Sequence, residues 1–315
     1  MLTTKTRQFI DQWNAISNQV GMALMNPADA GAMAAVRTAY NAVLAQNLPP
    51  EGVTVEAVTL GGVPGLMIAP SQLSSDAVAV YIHGGAYLVG DPSSYLGIGG
   101  NYAKALGARV YLPAYRLAPE HPFPAAIDDT LQFYAGLLQS GIAASKIVLI
   151  GESAGGALTV TAMVAARDQG LPLPAAGVAI SPWANLQHTG ASMVTRDGID
   201  PTVSKAGLAI MAGFFLGGAA ADAPLASPVF ADVAGLPPIM IQIGESEVML
   251  SDALRLATHL AESGVRVTLE SWPGMFHAWH FVAAYQPESQ AALQSSVAFI
   301  NSALEAAAIN AGCRR

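Results

Sequence analysis

The stretch Ile147–Ala166, IVLIGESAGGALTVTAMVAA, limits the fold of this chain more than any other. Its first four residues, Ile147-Val148-Leu149-Ile150, are an unbroken run of β-branched and aliphatic side chains, the pattern of a strand buried on both faces of a parallel sheet. From Ala157 the chain runs without Gly or Pro to Gly170, mostly through small and apolar residues, which suits a buried helix. Between the two lies Gly151-Glu152-Ser153-Ala154-Gly155-Gly156, a G-x-S-x-G turn with a strand before it and a helix after it. A serine on so tight a turn is strained and lifts its hydroxyl above the sheet edge. Glycines two residues to either side let strand and helix approach with no Cβ between them. Ala154 opens the helix, so its N–H has no intrahelical partner and points to where an oxyanion would form.

The rest of the chain supplies a sheet for that turn to sit on. Residues 1–50 read as helical, with Phe9, Trp13, Ile16 and Val20 at helical spacing and a weaker repeat over Ala34–Leu44, closed by Pro49-Pro50. Val53–Leu60 and Val63–Ile68 flank a Gly-Gly turn and predict an antiparallel hairpin. Ala77–Ile82, Arg109–Tyr115, Ala176–Ile180, Ile239–Ile243 and Val265–Ser271 read as further strands. They alternate with helices over Asp91–Leu106, Ala125–Leu138, Ser251–Ser263 and Glu288–Ala307. Such βαβα alternation predicts a mostly parallel, doubly wound α/β sheet. Residues 185–230 break the rhythm. Their amphipathic piece Val203–Leu216, with Met211, Phe214 and Phe215, reads as part of an inserted lid over an apolar, substrate-binding pocket, the competing reading being plain core.

Immediately after the Ala77–Ile82 run comes His83-Gly84-Gly85-Ala86-Tyr87. Consecutive glycines there permit positive φ and leave backbone N–H groups unobstructed, as an oxyanion hole needs. A hydroxyl is a weak nucleophile until a base accepts its proton and a carboxylate orients that base. On open α/β sheets of this kind the chain order is Ser, acid, His. Of the six histidines, His83 and His121 precede Ser153, His188 falls in the predicted lid, and His259 falls inside a helix. His277 and His280 remain, in the loop after the last strand, with His277 nearer the strand end. The acid belongs in Gly244–Asp252, where Glu245, Glu247 and Asp252 all satisfy the order. Asp252 suits a helix first turn, and spacing mildly prefers Glu247.

These segments together resemble the hormone-sensitive-lipase-like, bacterial family IV esterases of the α/β-hydrolase superfamily. The likeness spans roughly residues 75–285 and is carried by HGGAYLVGD at 83–91, YRLAPEHPFPAAIDD at 115–129, GESAGG at 151–156 and GMFHAW at 274–279. It implies an eight-stranded α/β-hydrolase core over 51–184 and 231–315, capped by the helices of 1–50 and 185–230. It also implies nucleophile Ser153, base His277, acid Glu247, and oxyanion donors on Gly84, Gly85 and Ala154. Two departures stand out: Ala86 replaces the family's fourth-position glycine, and Glu152 replaces the usual Asp before the serine. The expected reaction is hydrolysis of short- to medium-chain acyl esters through an acyl-enzyme, needing no metal or organic cofactor. An amidase or peptidase, or a non-catalytic small-molecule binder, would use the same scaffold.

Composition narrows the partners. Net charge is −8 with no basic cluster, which disfavours nucleic acid and anionic membranes. The N-terminus is interrupted by Lys5, Arg7 and Asp11 and does not read as a secretory signal; no stretch reaches the 18 or so apolar residues a spanning helix needs. The lone Cys313 excludes an internal disulfide, in keeping with a cytoplasmic location. The family likeness allows a homodimer.

Overall fold

The computed structural model describes residues 1–25 and 30–313, and its strands fall where apolar runs and β-branched residues predict them. In chain order the strands are β1 (Val53–Leu60), β2 (Val63–Pro70), β3 (Val78–Ile82), β4 (Arg109–Pro113), β5 (Ile147–Glu152), β6 (Ala176–Ile180), β7 (Ile239–Gly244) and β8 (Val267–Trp272). The helices are α1 (Thr4–Leu24), α2 (Ala30–Leu44), α3 (Leu96–Leu106), α4 (Ala125–Gln139), α5 (Ala154–Asp168), α6 (Ser192–Thr195), α7 (Lys205–Leu216), α8 (Leu250–Glu262) and α9 (Pro287–Cys313).

Among the described residues the strands form one eight-stranded sheet in the order β1-β2-β4-β3-β5-β6-β7-β8. The β1/β2 hairpin and the β2/β4 pair are antiparallel, and every pair from β4 to β8 is parallel. This is an α/β-hydrolase sheet. Every residue of β3, β5, β6 and β7 is buried, as expected of central strands covered by helices on both faces, whereas β1 at one edge is largely exposed.

Topology places the chemistry. The chain leaves β3 toward β4 on one side and returns to β5 on the other, so β3 and β5 are neighbours, with Ile82 paired to Gly151. Their carboxyl ends flank a switch point, where open α/β sheets hold their ligands. The loops after β6, β7 and β8 open at the same rim. Close packing there depends on small residues: a Cβ on Gly155 would lie 1.9 Å from the Ile82 carbonyl oxygen, and one on Gly151 would lie 2.2 Å from that of Gly155. Only hydrogen atoms fit between β5, α5 and the end of β3 at these points.

Candidate active site

Ser153 sits between β5 and α5 with φ 56° and ψ −120°, a sparsely populated conformation for a residue with a Cβ. The surroundings over-determine it. Its N–H donates to Ile180 O at 2.9 Å, and its carbonyl accepts from Trp183 N at 3.0 Å and Ala157 N at 3.1 Å. The side chain faces a cavity of about 390 Å³. His277 faces the same cavity, brought there by the loop after β8.

Three acids were possible by chain order, and contact separates them. Glu247 is fully buried, and its Oε2 lies 2.9 Å from His277 Nδ1. Its Oε1 accepts from Ser181 Oγ at 2.7 Å and from the Gly244 N–H at 2.7 Å. Ser181 also accepts the Ala278 N–H at 3.1 Å, so one hydroxyl joins the end of β6, the acid and the histidine loop. Glu245 instead pairs with Arg196 at 2.6 Å near the surface. Asp252 lies in the first turn of α8 and binds Asn185 at 3.0 Å and Arg255 at 3.4 Å.

The other histidines have different occupations. His280 is buried, with Nε2 2.7 Å from Gln242 Oε1, and burial holds its pKa down to about 3. His188 takes the Trp183 indole N–H at 3.0 Å, and His259 bonds the Ala231 carbonyl at 2.6 Å. His83 is stacked between Tyr115 and Tyr95, with centroids 4.2 and 5.0 Å away, and burial lowers its pKa to about 4. The Tyr115 hydroxyl donates to His83 O at 2.8 Å, so a neutral aromatic stack stiffens the loop after β3.

That loop corrects one expectation. The Gly84 N–H donates to Oε1 of Glu152 and is not free to face a ligand. Gly85 and Ala86 line the cavity instead, both with positive φ, 96° and 55°. Ala86, the residue that departs from the family's fourth-position glycine, is thus part of the cavity wall. The Ala154 N–H stands at the first position of α5, where no intrahelical acceptor exists.

The lid residues are corrected as well. Phe215 is buried against the ring of Tyr87, 3.7 Å between centroids, and edge-on to Phe123, so it packs the interior rather than lining the cavity. Phe214 is half-buried and also lies off the cavity wall. Met211 does line it, with Gly207 and Leu208. Residues 204, 207, 208 and 211 share one face at the start of α7; Phe215 continues that face one turn further along, beyond the cavity and against Tyr87, whereas Phe214 is rotated off it. The cavity is not mostly apolar either: Asn14, Ser17, Thr202 and Ser204 stand beside Trp13 and Phe281.

Asp200 and Ser181 are site residues that the sequence does not mark, and Trp13 reads there only as part of a helical repeat. Asp200 is buried on the cavity wall, with Oδ2 accepting the Val248 N–H at 3.1 Å and Oδ1 accepting from Thr202 and Val203. It ties the segment after α6 to the loop carrying Glu247, and burial raises its pKa to about 6. Trp13 of α1 lies 6.1 Å from the His277 ring, closing the cavity from above. An isolated Asp in a Gly-rich loop gave no signal; Ser181 ahead of Pro182 at a strand end gave a faint one.

A strained serine between strand and helix, a buried histidine–carboxylate pair facing the same cavity and unpaired backbone donors beside it define a serine hydrolase of the α/β-hydrolase class. A family model described as alpha/beta hydrolase fold matches residues 79–281. The acetyl-hydrolase of Streptomyces hygroscopicus is 40% identical over 248 residues, covering 79% of this chain and 83% of that protein. A solved esterase of the bacterial hormone-sensitive lipase family superposes with a TM-score of 0.85 at 36% identity, covering 96% of this chain and all of that one. A mutant of the esterase E40 gives 0.84 at 39% identity over 86% of this chain and 92% of its own. The chain belongs to the hormone-sensitive-lipase-like, bacterial family IV esterases and is a carboxylic-ester hydrolase. Among the described residues no helix is long and apolar enough to cross a membrane.

Proposed function

We propose that this esterase cleaves short- to medium-chain acyl esters through a Ser153–His277–Glu247 triad and an acyl-enzyme. The observation that carries the reading is the 2.9 Å contact between His277 Nδ1 and Glu247 Oε2 at the wall of the cavity that Ser153 faces. With Nδ1–H donated to Glu247, Nε2 is the free lone pair that can take the Ser153 proton. Ser153 Oγ then bonds to the ester carbonyl carbon. The Gly85, Ala86 and Ala154 N–H groups stabilise the oxyanion; each such donor contributes about 2.7–4 kcal/mol in a dry site. The imidazolium gives its proton to the leaving alcohol. Water, deprotonated by the same nitrogen, releases the acid and restores Ser153.

The cavity size supports a compact substrate: about 390 Å³ falls at the lower end of small-molecule sites. Its polar side chains favour an ester with a polar part over a plain hydrocarbon chain. Residues 1–50 and 185–230 act as the cap, since α1 and the segment 198–211 wall the cavity opposite the sheet rim. The Ser153→Ala enzyme is expected to fold normally and to lose at least 10⁴-fold in kcat on p-nitrophenyl acyl esters, and a phosphonate probe should label wild type stoichiometrically at Ser153. Near-normal turnover by the variant, or faster cleavage of matched anilides than of esters, would refute the assignment.

A further inference from the structure

Glu152 precedes the nucleophile and is 2% exposed, yet none of the triad chemistry uses it. Its Oε1 accepts the Gly84 N–H. The fit is tight: a Cβ on Gly84 would lie 2.4 Å from that oxygen and 3.0 Å from Ser153 Cβ. Its other oxygen, Oε2, is buried with no hydrogen-bond partner, and so is the Tyr81 hydroxyl. The Tyr81 and Tyr95 hydroxyls face this carboxyl, although neither completes a well-formed bond to Oε2.

The surroundings are neutral. Tyr81 comes from β3, Tyr95 from the turn before α3, Tyr102 from α3, Tyr40 from α2 and Tyr115 from the loop after β4, and burial raises the pKa of each phenol. His83 is held neutral above pH 4 or so by the same cause. The groups acting most strongly on Glu152 are burial, phenols and backbone amides rather than cations. A carboxylate there would be a buried charge with no cation beside it and one oxygen lacking a completed bond, next to the place where a second negative charge must form. A protonated acid has no such conflict: Oε1 still accepts from Gly84, and Oε2–H can donate to Tyr81.

We propose that Glu152 is a positioning residue that acts as a neutral carboxylic acid, one oxygen tethering Gly84 to fix the turn that offers the Gly85 and Ala86 N–H groups, its lack of charge keeping that turn receptive to an oxyanion. The inference rests on the Ser153 reading above. Burial raises the Glu152 pKa to about 8, so the acid form prevails at neutral pH and gives its proton to solvent above that. The remaining titratable side chains lining the cavity, Tyr40, Asp200 and His277, are distinct from this carboxyl, and Asp200 titrates on the acid side.

The test is kcat and KM from pH 6 to 10, corrected for spontaneous hydrolysis, for wild type, Glu152→Gln and Glu152→Leu, with folding checked by circular dichroism. Wild-type kcat is expected to fall at least tenfold through an inflection near pH 8. The Leu variant, which frees Gly84, should lose on the order of a hundredfold in kcat at every pH. The Gln variant, a permanent mimic of the neutral acid, should recover most of that loss and show no inflection near 8. A wild-type profile flat to pH 10, a Gln variant with the same inflection, or a folded Gln variant as poor as Leu would overturn the proposal. If Leu does not fold, the Gln and wild-type profiles decide it alone. Failure of the phosphonate to label Ser153 in wild type would instead overturn the triad reading.

Discussion

Ser181 is the group whose removal tests how the site is held together. Its hydroxyl donates to Glu247 Oε1 at 2.7 Å and accepts from Ala278 N at 3.1 Å, and all three residues are buried. Ser181→Ala removes one oxygen and leaves the backbone cost unchanged, since both residues bear the same strain at φ 45°. A bond to a carboxylate contributes about 1.5–3 kcal/mol, and an N–H left buried without an acceptor costs about 1–3 kcal/mol. Glu247 keeps the Gly244 N–H and His277, so the charge is not stranded. The expected loss of stability is about 2.5–6 kcal/mol, read by urea unfolding with tryptophan fluorescence. Ala278 directly follows His277 and itself sits at φ 53°, so freeing it loosens the imidazole. Misplacement of about 1 Å can cost a hundredfold, so kcat should drop by about ten- to a hundredfold with KM nearly constant. A variant with wild-type kcat and an unfolding midpoint within error of wild type would refute this reasoning. So would a change confined to KM.

Gly155→Ala would drive a Cβ to 1.9 Å from Ile82 O, a backbone atom that cannot swing aside. Soluble yield should collapse, or stability fall by more than about 4 kcal/mol, and a melting temperature within a few degrees of wild type would contradict it. Phe215→Ala should cost about 3–5 kcal/mol, because the ring is buried between Tyr87 and Phe123. Met211→Ala should cost under about 1.5 kcal/mol yet change the ranking of p-nitrophenyl esters by acyl length, since Met211 lines the cavity. The reverse assignment of stability and selectivity effects would refute this division of α7.

The local chemistry was legible because it is periodic or contiguous. The Ile147–Ile150 run and the glycines of 151–156 specify a strand, a tight turn and a helix through backbone sterics alone, and β5 and α5 lie where that pattern puts them. The helical period of Val203–Leu216 was also visible, and α7 covers Lys205–Leu216. Which of its residues meet the cavity was not, because Met211 and Phe215 are both apolar and share one face a turn apart, and only the packing against Tyr87 separates them. The loop after β3 misled for a related reason. Gly84 looks as free as Gly85 in the sequence, until the carboxyl of Glu152, 68 residues later, takes its N–H.

The amino-acid order by itself determined the strand–turn–helix, the alternating α/β layout and the candidate serine and histidine, since each is written in neighbouring residues. Only the tertiary structure decided which acid reaches His277, which amides stay unpaired and that Ser181 joins three loops. Those outcomes depend on distances between segments whose approach is fixed by strand order in the sheet, and a linear sequence does not state that order.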